Sequence, residues 1–357
     1  MELLYYFLEI LVLLFKRKIQ EIKSVGILFL PGLGMGDLIM LSPAIQKIAE
    51  IFSGAEITLI TWIPDAIEFK NIKTLNHRKA KGLRFDLVVS PTLNIHHIKY
   101  IFSSEYWAGY FSKAVIQSNF GAPQLAYRQR DEHYLWRGVQ LIKALDQKRG
   151  SRLESEYMEG SVTYPPIICQ EPSFFKSELL ESKYAVAGVF LKLEDRQWPL
   201  QKCAVVIKEC LKRGYIEKVV LIGDSSEHNQ KAAEKIKKSL NLSSQEVLDA
   251  TGKIGLKETS FLIKNSTFFF GLDSGPSHIA YEIAPKAAVV FVTVEPRSRV
   301  PLLADLNERV ACVYPAEVPR GSLYSGLRPV PLRIAREYMD LISVESVMSA
   351  ISDLMKN

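Results

Sequence analysis

Cysteine is scarce in this sequence. The 357 residues include four: Cys169, Cys203, Cys210 and Cys312. None forms a Cys-x-x-Cys pair, and no histidines stand close enough to complete a zinc set. A disulfide scaffold and a metal site are therefore not expected, and a reducing, cytosolic location is the default. A large excess of one charge is missing too. Lys and Arg number 45 against 39 Asp and Glu, a formal net charge of +6. That argues against a nucleic-acid partner and suits an anionic ligand or an anionic membrane surface. Internal repeats and low-complexity segments are also absent.

No apolar run is long enough to span a bilayer. Residues 1–15, MELLYYFLEILVLLF, come nearest, but Glu2 and Glu9 interrupt them. A helix of 15 residues covers roughly 22 Å, against a hydrocarbon core of ~30 Å. The basic residues Lys16, Arg17 and Lys18 follow the apolar run, the reverse of a secretory signal, and no small-residue cleavage site appears. Two readings stand for residues 1–22. One is a helix packed on protein. The other is an interfacial helix with Lys16, Arg17, Lys18 and Lys23 at lipid phosphates.

What is present is ordinary globular material, 48% hydrophobic and 24% charged, with enough residues for two cores. Strand-like apolar runs alternate with amphipathic helical ones, the pattern of a parallel sheet covered on both faces. Val25–Leu30, Glu56–Trp62 and Leu83–Ser90 read as strands, with a helix from the glycine-rich turn through about Phe52. The stretch from about Asn94 to Tyr164 is less regular, and Pro165, Pro166 and Pro172 follow, so it reads as an inter-domain linker. The alternation then restarts. Tyr184–Phe190, Lys218–Ile222, Thr267–Gly271 and Ala287–Val294 are strands. Pro199–Arg213, Glu227–Leu240, Leu256–Lys264, Pro276–Ile283 and Val344–Met355 are helices. Two Rossmann-like α/β units in tandem are expected, with ligand between them at the carboxyl ends of strands.

Three motifs sit at such strand ends. The first is Gly32-x-Gly34-x-Gly36-Asp37. A dinucleotide fingerprint would need glycine where Asp37 stands, and a carboxylate there repels a pyrophosphate. An ionised Asp37 could act as a general base toward a hydroxyl, or simply favour the helix start as acids do there. The second is Glu194-Asp195-Arg196-Gln197-Trp198-Pro199, with Pro199 read as the first helical residue. Arg196 could bind a diphosphate, or pair on the surface with Glu194 or Asp195. The third is Gly271-Leu272-Asp273-Ser274-Gly275-Pro276-Ser277-His278. Asp273, Ser274 and the amides of Ser274 and Gly275 suit an anion at a helix N-terminus. His278, one turn on, either faces the ligand or is a core histidine.

In this order the three motifs resemble glycosyltransferase family 9, the bacterial heptosyltransferases of the GT-B fold. ILFLPGLGMGDLIMLSPAI is similar to the family's opening strand, its Gly-Asp loop and its Leu-Pro-Ala helix, with Ser42-Pro43-Ala44 for the last. Arg196-Gln197-Trp198-Pro199 resembles Lys-Arg-Trp-Pro, and Leu272–His278 resembles Asn-Asp-Ser-Gly-Pro-x-His. Ile342-Ser343-Val344 matches the family's final Ile-Ser-Val. The likeness runs from about residue 25 to 355.

The resemblance implies a GT-B α/β fold: two Rossmann-like domains facing across a cleft. Residues 1–22 would be an apolar helix, 23–168 an acceptor domain, 169–342 a donor-binding domain and 343–357 a C-terminal helix. It also implies metal-independent, inverting transfer of a heptose-like sugar from a nucleotide-diphosphate sugar, with no cofactor. The acceptor would be lipopolysaccharide or a related surface glycan. Asp37 would be the base, with Gly34 and Gly36 in its loop. Arg196, Asp273, Ser274, Gly275 and His278 would hold the donor diphosphate. Glu227, in Gly223-Asp224-Ser225-Ser226-Glu227, would contact the donor ribose.

The chain departs from the family at Phe190-Leu191-Lys192-Leu193 and at Phe291-Val292-Thr293-Val294-Glu295-Pro296, so the sugar, the nucleotide or the activity could differ. A basic stretch of Lys70, Lys73, His77, Arg78, Lys79, Lys81 and Arg84, then Lys99, Arg128 and Arg130, is either solvated surface or a reader of an anionic glycolipid. In that case the protein would work on the cytoplasmic face of the inner membrane. Two other readings are an NAD(P)-dependent oxidoreductase with Asp65 on the ribose, opposed by Asp37, and an inactive sugar-nucleotide-binding protein.

Overall fold

A computed structural model describes residues 22–30, 33–91, 104, 106–111, 114–117, 133–173, 177–241, 243, 245–301, 303, 306–318 and 330–356. The chain divides into two compact units, Met1–Pro166 and Ile167–Asn357. The expected helix over residues 1–22 lies outside the described residues apart from its last one, as do Gly32, Lys99, Arg128 and Arg130.

In the first unit β1 (Ser24–Phe29) leads to α1 (Met35–Ile51), β2 (Glu56–Thr61), β3 (Lys73–Asn76) and β4 (Leu87–Ser90). β1 is buried over Val25–Phe29, as a strand covered on both faces must be. The Asn94–Tyr164 stretch is not a linker. It contributes β5 (Tyr106–Phe111) and β6 (Ala114–Gln117), then α2 (Leu135–Leu145) and α3 (Gln147–Met158). The sheet order is β3-β2-β1-β4-β5-β6, with only the β5–β6 pair antiparallel. α2 lies tightly on α1: a Cβ at Gly138 would come 2.4 Å from the Ala44 methyl.

α1 carries a proline in its interior, Pro43. Proline has no N–H for the Ile39 carbonyl four residues back. The buried Ser42 hydroxyl donates to that carbonyl instead, at 2.8 Å. The helix therefore continues through the proline.

The second unit repeats the plan. It comprises β7 (Tyr184–Gly188), α4 (Leu200–Lys212), β8 (Lys218–Leu221), α5 (Glu227–Leu240), β9 (Val247–Asp249) and α6 (Leu256–Lys264). β10 (Phe268–Leu272), α7 (Gly275–Ile283), β11 (Ala287–Val290), β12 (Val310–Val313), α8 (Leu332–Leu341) and α9 (Val344–Lys356) follow. The order is β9-β8-β7-β10-β11-β12, with every pair parallel. Counted within each unit, both sheets have the order 3-2-1-4-5-6 of a dinucleotide-binding fold, which reverses between strands 1 and 4.

Several boundaries differ from expectation. Pro199 caps α4 rather than opening it. β11 stops at Val290, and Phe291–Val294 continue as buried irregular chain. Only Leu87–Ser90 of the Leu83–Ser90 run is strand. β3, β9, β12 and α8 were not foreseen.

Trp198, Val206, Val219, Phe268 and Ile351 share one core cluster of the second unit. Gly188 and Gly271 are register partners at the last rung of β7 and β10. The Phe269 ring lies over both. A Cβ at Gly188 would meet it at 2.9 Å, and one at Gly271 at 2.4 Å.

Candidate functional site

In the first unit, Asp37 sits in the first turn of α1, and Gly34 is the N-cap. The Asp37 Oδ2 accepts the Gly34 backbone N–H at 2.7 Å, so the carboxylate closes the turn that carries it. Gly36, expected in the loop, lies inside the first helical turn and is buried. Trp62, just past β2, donates its indole N–H to the Leu33 carbonyl at 2.9 Å and ties down the same loop. Sequence reasoning missed Trp62, because nothing in the sequence pairs it with Leu33. Asp65 is exposed, in a left-handed turn with φ 62°.

The second unit holds the denser arrangement, at the carboxyl ends of β7 and β10, where the strand order reverses. The Arg196 Nη1 lies 3.3 Å from the Asp273 Oδ2, and the two side chains are 15% and 7% exposed. Arg196 does not take its partner from beside it in sequence. Asp195 is itself buried and accepts the Val330 N–H at 3.3 Å.

The loop that presents Arg196 is held from inside by Gln197. Its Oε1 accepts the Leu191 N–H at 2.8 Å, and its Nε2 donates to the Val189 and Trp198 carbonyls at 3.1 and 2.7 Å. Trp198 is fully buried and donates to the Ile342 carbonyl at 3.3 Å. Lys202 donates to the Met339 and Ile342 carbonyls, both at 3.0 Å. Two motifs far apart in sequence thus meet in space.

Beyond β10, Ser274 caps α7, and Pro276 stands in its first turn. The Ser277 hydroxyl donates to the Leu272 carbonyl. That closes the strand-to-helix turn and leaves the α7 N-terminus beside the Arg196–Asp273 pair. Such a terminus presents backbone N–H groups to an anion. His278 is 5% exposed and packs edge-on to Tyr281, with centroids 5.6 Å apart. Burial, helped by the nearby Arg299 charge, pushes its pKa down to about 3, so the imidazole is neutral at physiological pH. His278 can offer a hydrogen bond or a packing surface there, but no charge.

Glu227 opens α5, with its side chain 80% exposed and ion-paired to Lys231 at 2.7 Å. Asp224, three residues before it, is more tightly held. Its Oδ1 accepts from the Ser226 N–H at 3.0 Å, the Ser226 hydroxyl and the Asn229 Nδ2 at 2.9 Å. Its Oδ2 pairs with Lys192 at 2.7 Å.

In the basic stretch, Lys73 lies on the edge strand β3, and His77–Lys79 form a 3₁₀ turn capped by the Asn76 side chain at 3.0 Å. Arg78, Lys79, Lys81 and Arg84 are exposed. Among the described residues, no group of three His, Cys, Asp or Glu side chains is placed to hold a metal, and no helix is long and apolar enough to cross a membrane.

Several solved structures share this fold. A glycosyl transferase family 9 protein from Veillonella parvula DSM 2008 matches with a TM-score of 0.65 at 15% identity, over 96% of this chain and 99% of that one. The E. coli ADP-heptose lps heptosyltransferase II matches at 0.62 and 14% identity, over 94% and 98%. The E. coli heptosyltransferase WaaC with ADP matches at 0.57 and 12%, over 93% and 99%. At these identities the likeness establishes the fold, that of the GT-B glycosyltransferases. Among curated proteins none matches the chain in sequence. The family model described as glycosyltransferase family 9 (heptosyltransferase) matches residues 124–307. That span is just over half of the chain and carries both Arg196 and the Asp273–His278 turn, so the chain belongs to glycosyltransferase family 9, the heptosyltransferase family.

Proposed function

We propose that the protein transfers a heptose-like sugar from a nucleotide-diphosphate sugar to a hydroxyl of a lipopolysaccharide or related surface-glycan acceptor. Asp37 takes the proton from the acceptor hydroxyl. The hydroxyl oxygen forms the new bond at the anomeric carbon as the bond to the diphosphate breaks on the opposite face, which inverts the centre. Arg196 and the N–H groups at the start of α7 receive the charge that develops on the leaving diphosphate. Asp273 holds Arg196 in place, since a carboxylate facing the diphosphate directly would repel it. Ser274 and Gly275 supply the turn, His278 backs it as a neutral ring, and Glu227 contacts the donor ribose.

The observation that carries this reading is the Arg196–Asp273 pair beside a helix N-terminus, at the point where the strand order reverses. The exposed cations of the β3 turn are the acceptor-side counterpart, suited to phosphate groups on a glycolipid at the cytoplasmic face of the inner membrane. Family membership favours this reading over an oxidoreductase with Asp65 on the ribose.

Asp37→Asn preserves the shape of the capping turn and removes the base. It is expected to lower kcat by a factor of about 10² or more, with the affinity for a nucleoside diphosphate within about twofold of the parent. Loss of that affinity with kcat retained would refute the base assignment.

A further inference from the structure

The leaving diphosphate of the proposed reaction carries at least two negative charges, and the Arg196 charge at the β7–β10 junction is already shared with a carboxylate. Arg196 is balanced by Asp273, with both groups largely buried. His278 is neutral. A further cation stands on the other flank of the same loop. β7 lies between β8 and β10, so the loops after β8 and β10 are two strand spacings apart, roughly 10 Å. The loop after β7 bridges them. Arg196 reaches the β10 side, and Lys192 reaches the β8 side to pair with Asp224 at 2.7 Å.

The two pairs differ in how easily they part. Lys192 and Asp224 are 66% and 48% exposed. A solvated pair of that kind contributes little and exchanges readily. Breaking the Arg196–Asp273 pair, 15% and 7% exposed, would strand a buried charge. Asp224 also keeps partners without Lys192, because Ser226 and Asn229 donate to its other oxygen. The backbone beside Lys192 is fixed from two sides. The Leu191 N–H goes to Gln197 at 2.8 Å, and its carbonyl lies 2.9 Å from the His228 Nε2. Only the Lys192 side chain has to move.

We propose that Lys192 is a further cation for the donor diphosphate and exchanges Asp224 for a phosphate oxygen when the donor binds. The inference rests on the functional reading above and adds a ligand contact that Arg196 alone does not supply.

Titration calorimetry of the full chain with ADP and with adenosine tests it. Lys192→Met is expected to weaken ADP binding about tenfold or more, the loss of one charge-assisted hydrogen bond, and to leave adenosine within about twofold. Lys192→Arg should restore most of the ADP affinity. Asp224→Asn should leave ADP binding equal or tighter, because the lysine is released. ADP affinity unchanged in Lys192→Met while Arg196→Ala weakens it would overturn the inference and leave the functional reading standing. Equal losses for adenosine and ADP would also overturn it. If the parent protein binds neither ADP nor GDP, UDP or TDP, the functional reading falls and this inference with it.

Discussion

A single buried ring separates two roles that its motif leaves open. His278 follows Asp273-Ser274-Gly275-Pro276-Ser277, and from sequence it could be a cationic ligand or a core residue. Its burial against Tyr281 and its pKa of about 3 make it a neutral core ring at the back of the turn. That has a consequence for pH. The unfolded chain takes up a proton on this residue near pH 6.5, and the folded chain does so only near 3. The His278 contribution to stability is therefore full above pH 6.5 and is lost as pH falls through that window, by at most about 1.4 kcal/mol per pH unit. Between pH 7.5 and 5, the denaturation midpoint of a His278→Asn variant should fall less steeply than that of the parent. Parallel curves would show that the imidazole does not resist protonation. Asp273→Asn belongs to the same scale. It should cost about 3–5 kcal/mol in the unfolding of the second unit, because it leaves the Arg196 charge without its buried partner; a midpoint shift below 1 kcal/mol, by the same comparison, would count against a buried pair.

α1 shows how an element survives a residue that should break it. Pro43 would end a helix read from propensity alone, yet the helix runs from Met35 to Ile51. Ser42 makes this work by occupying the carbonyl that the proline leaves open. Ser42→Ala should destabilise the first unit by about 1–3 kcal/mol, the cost of a buried unsatisfied acceptor. A chemical-denaturation midpoint unchanged from the parent would show that the Ile39 carbonyl finds another donor. The Asn94–Tyr164 stretch errs the other way. β5 and β6 are short, with Ser112-Lys113 between them, and pair antiparallel at a sheet edge. YWAGYF and AVIQ are too short, and alternate too little, to stand out as strands until β4 supplies a neighbour. β11 ends early because Val290 is its last pairing partner with β12, although the apolar run continues to Val294.

For the whole molecule, the C-terminal segment is integral to the second unit. Val347, Met348, Ile351 and Leu354 are buried in its core, and Trp198 and Lys202 hold the chain at Ile342. Burial of such side chains is worth about 1.5–3 kcal/mol each, and four of them together rival the whole stability of a typical domain, about 5–15 kcal/mol. A fragment of residues 167–357 should therefore melt cooperatively by circular dichroism, and a fragment of 167–342 should not. Cooperative melting of the shorter fragment would mean that α9 is an accessory to the fold.

Two Rossmann-like units, the position of Asp37 at a helix start and the strand-end placement of Arg196 and Asp273 were legible in the sequence. The reason is that apolar periodicity, glycine, proline and helix-start acids act over a few residues. Partners distant in sequence were not. That Arg196 pairs with Asp273 rather than Glu194 or Asp195, that Asp195 and Trp198 serve the C-terminal segment, and that Lys192 rests on Asp224 follow from the strand order. β7 is placed between β8 and β10 by sheet pairing, and no local pattern of residues encodes which strands become neighbours.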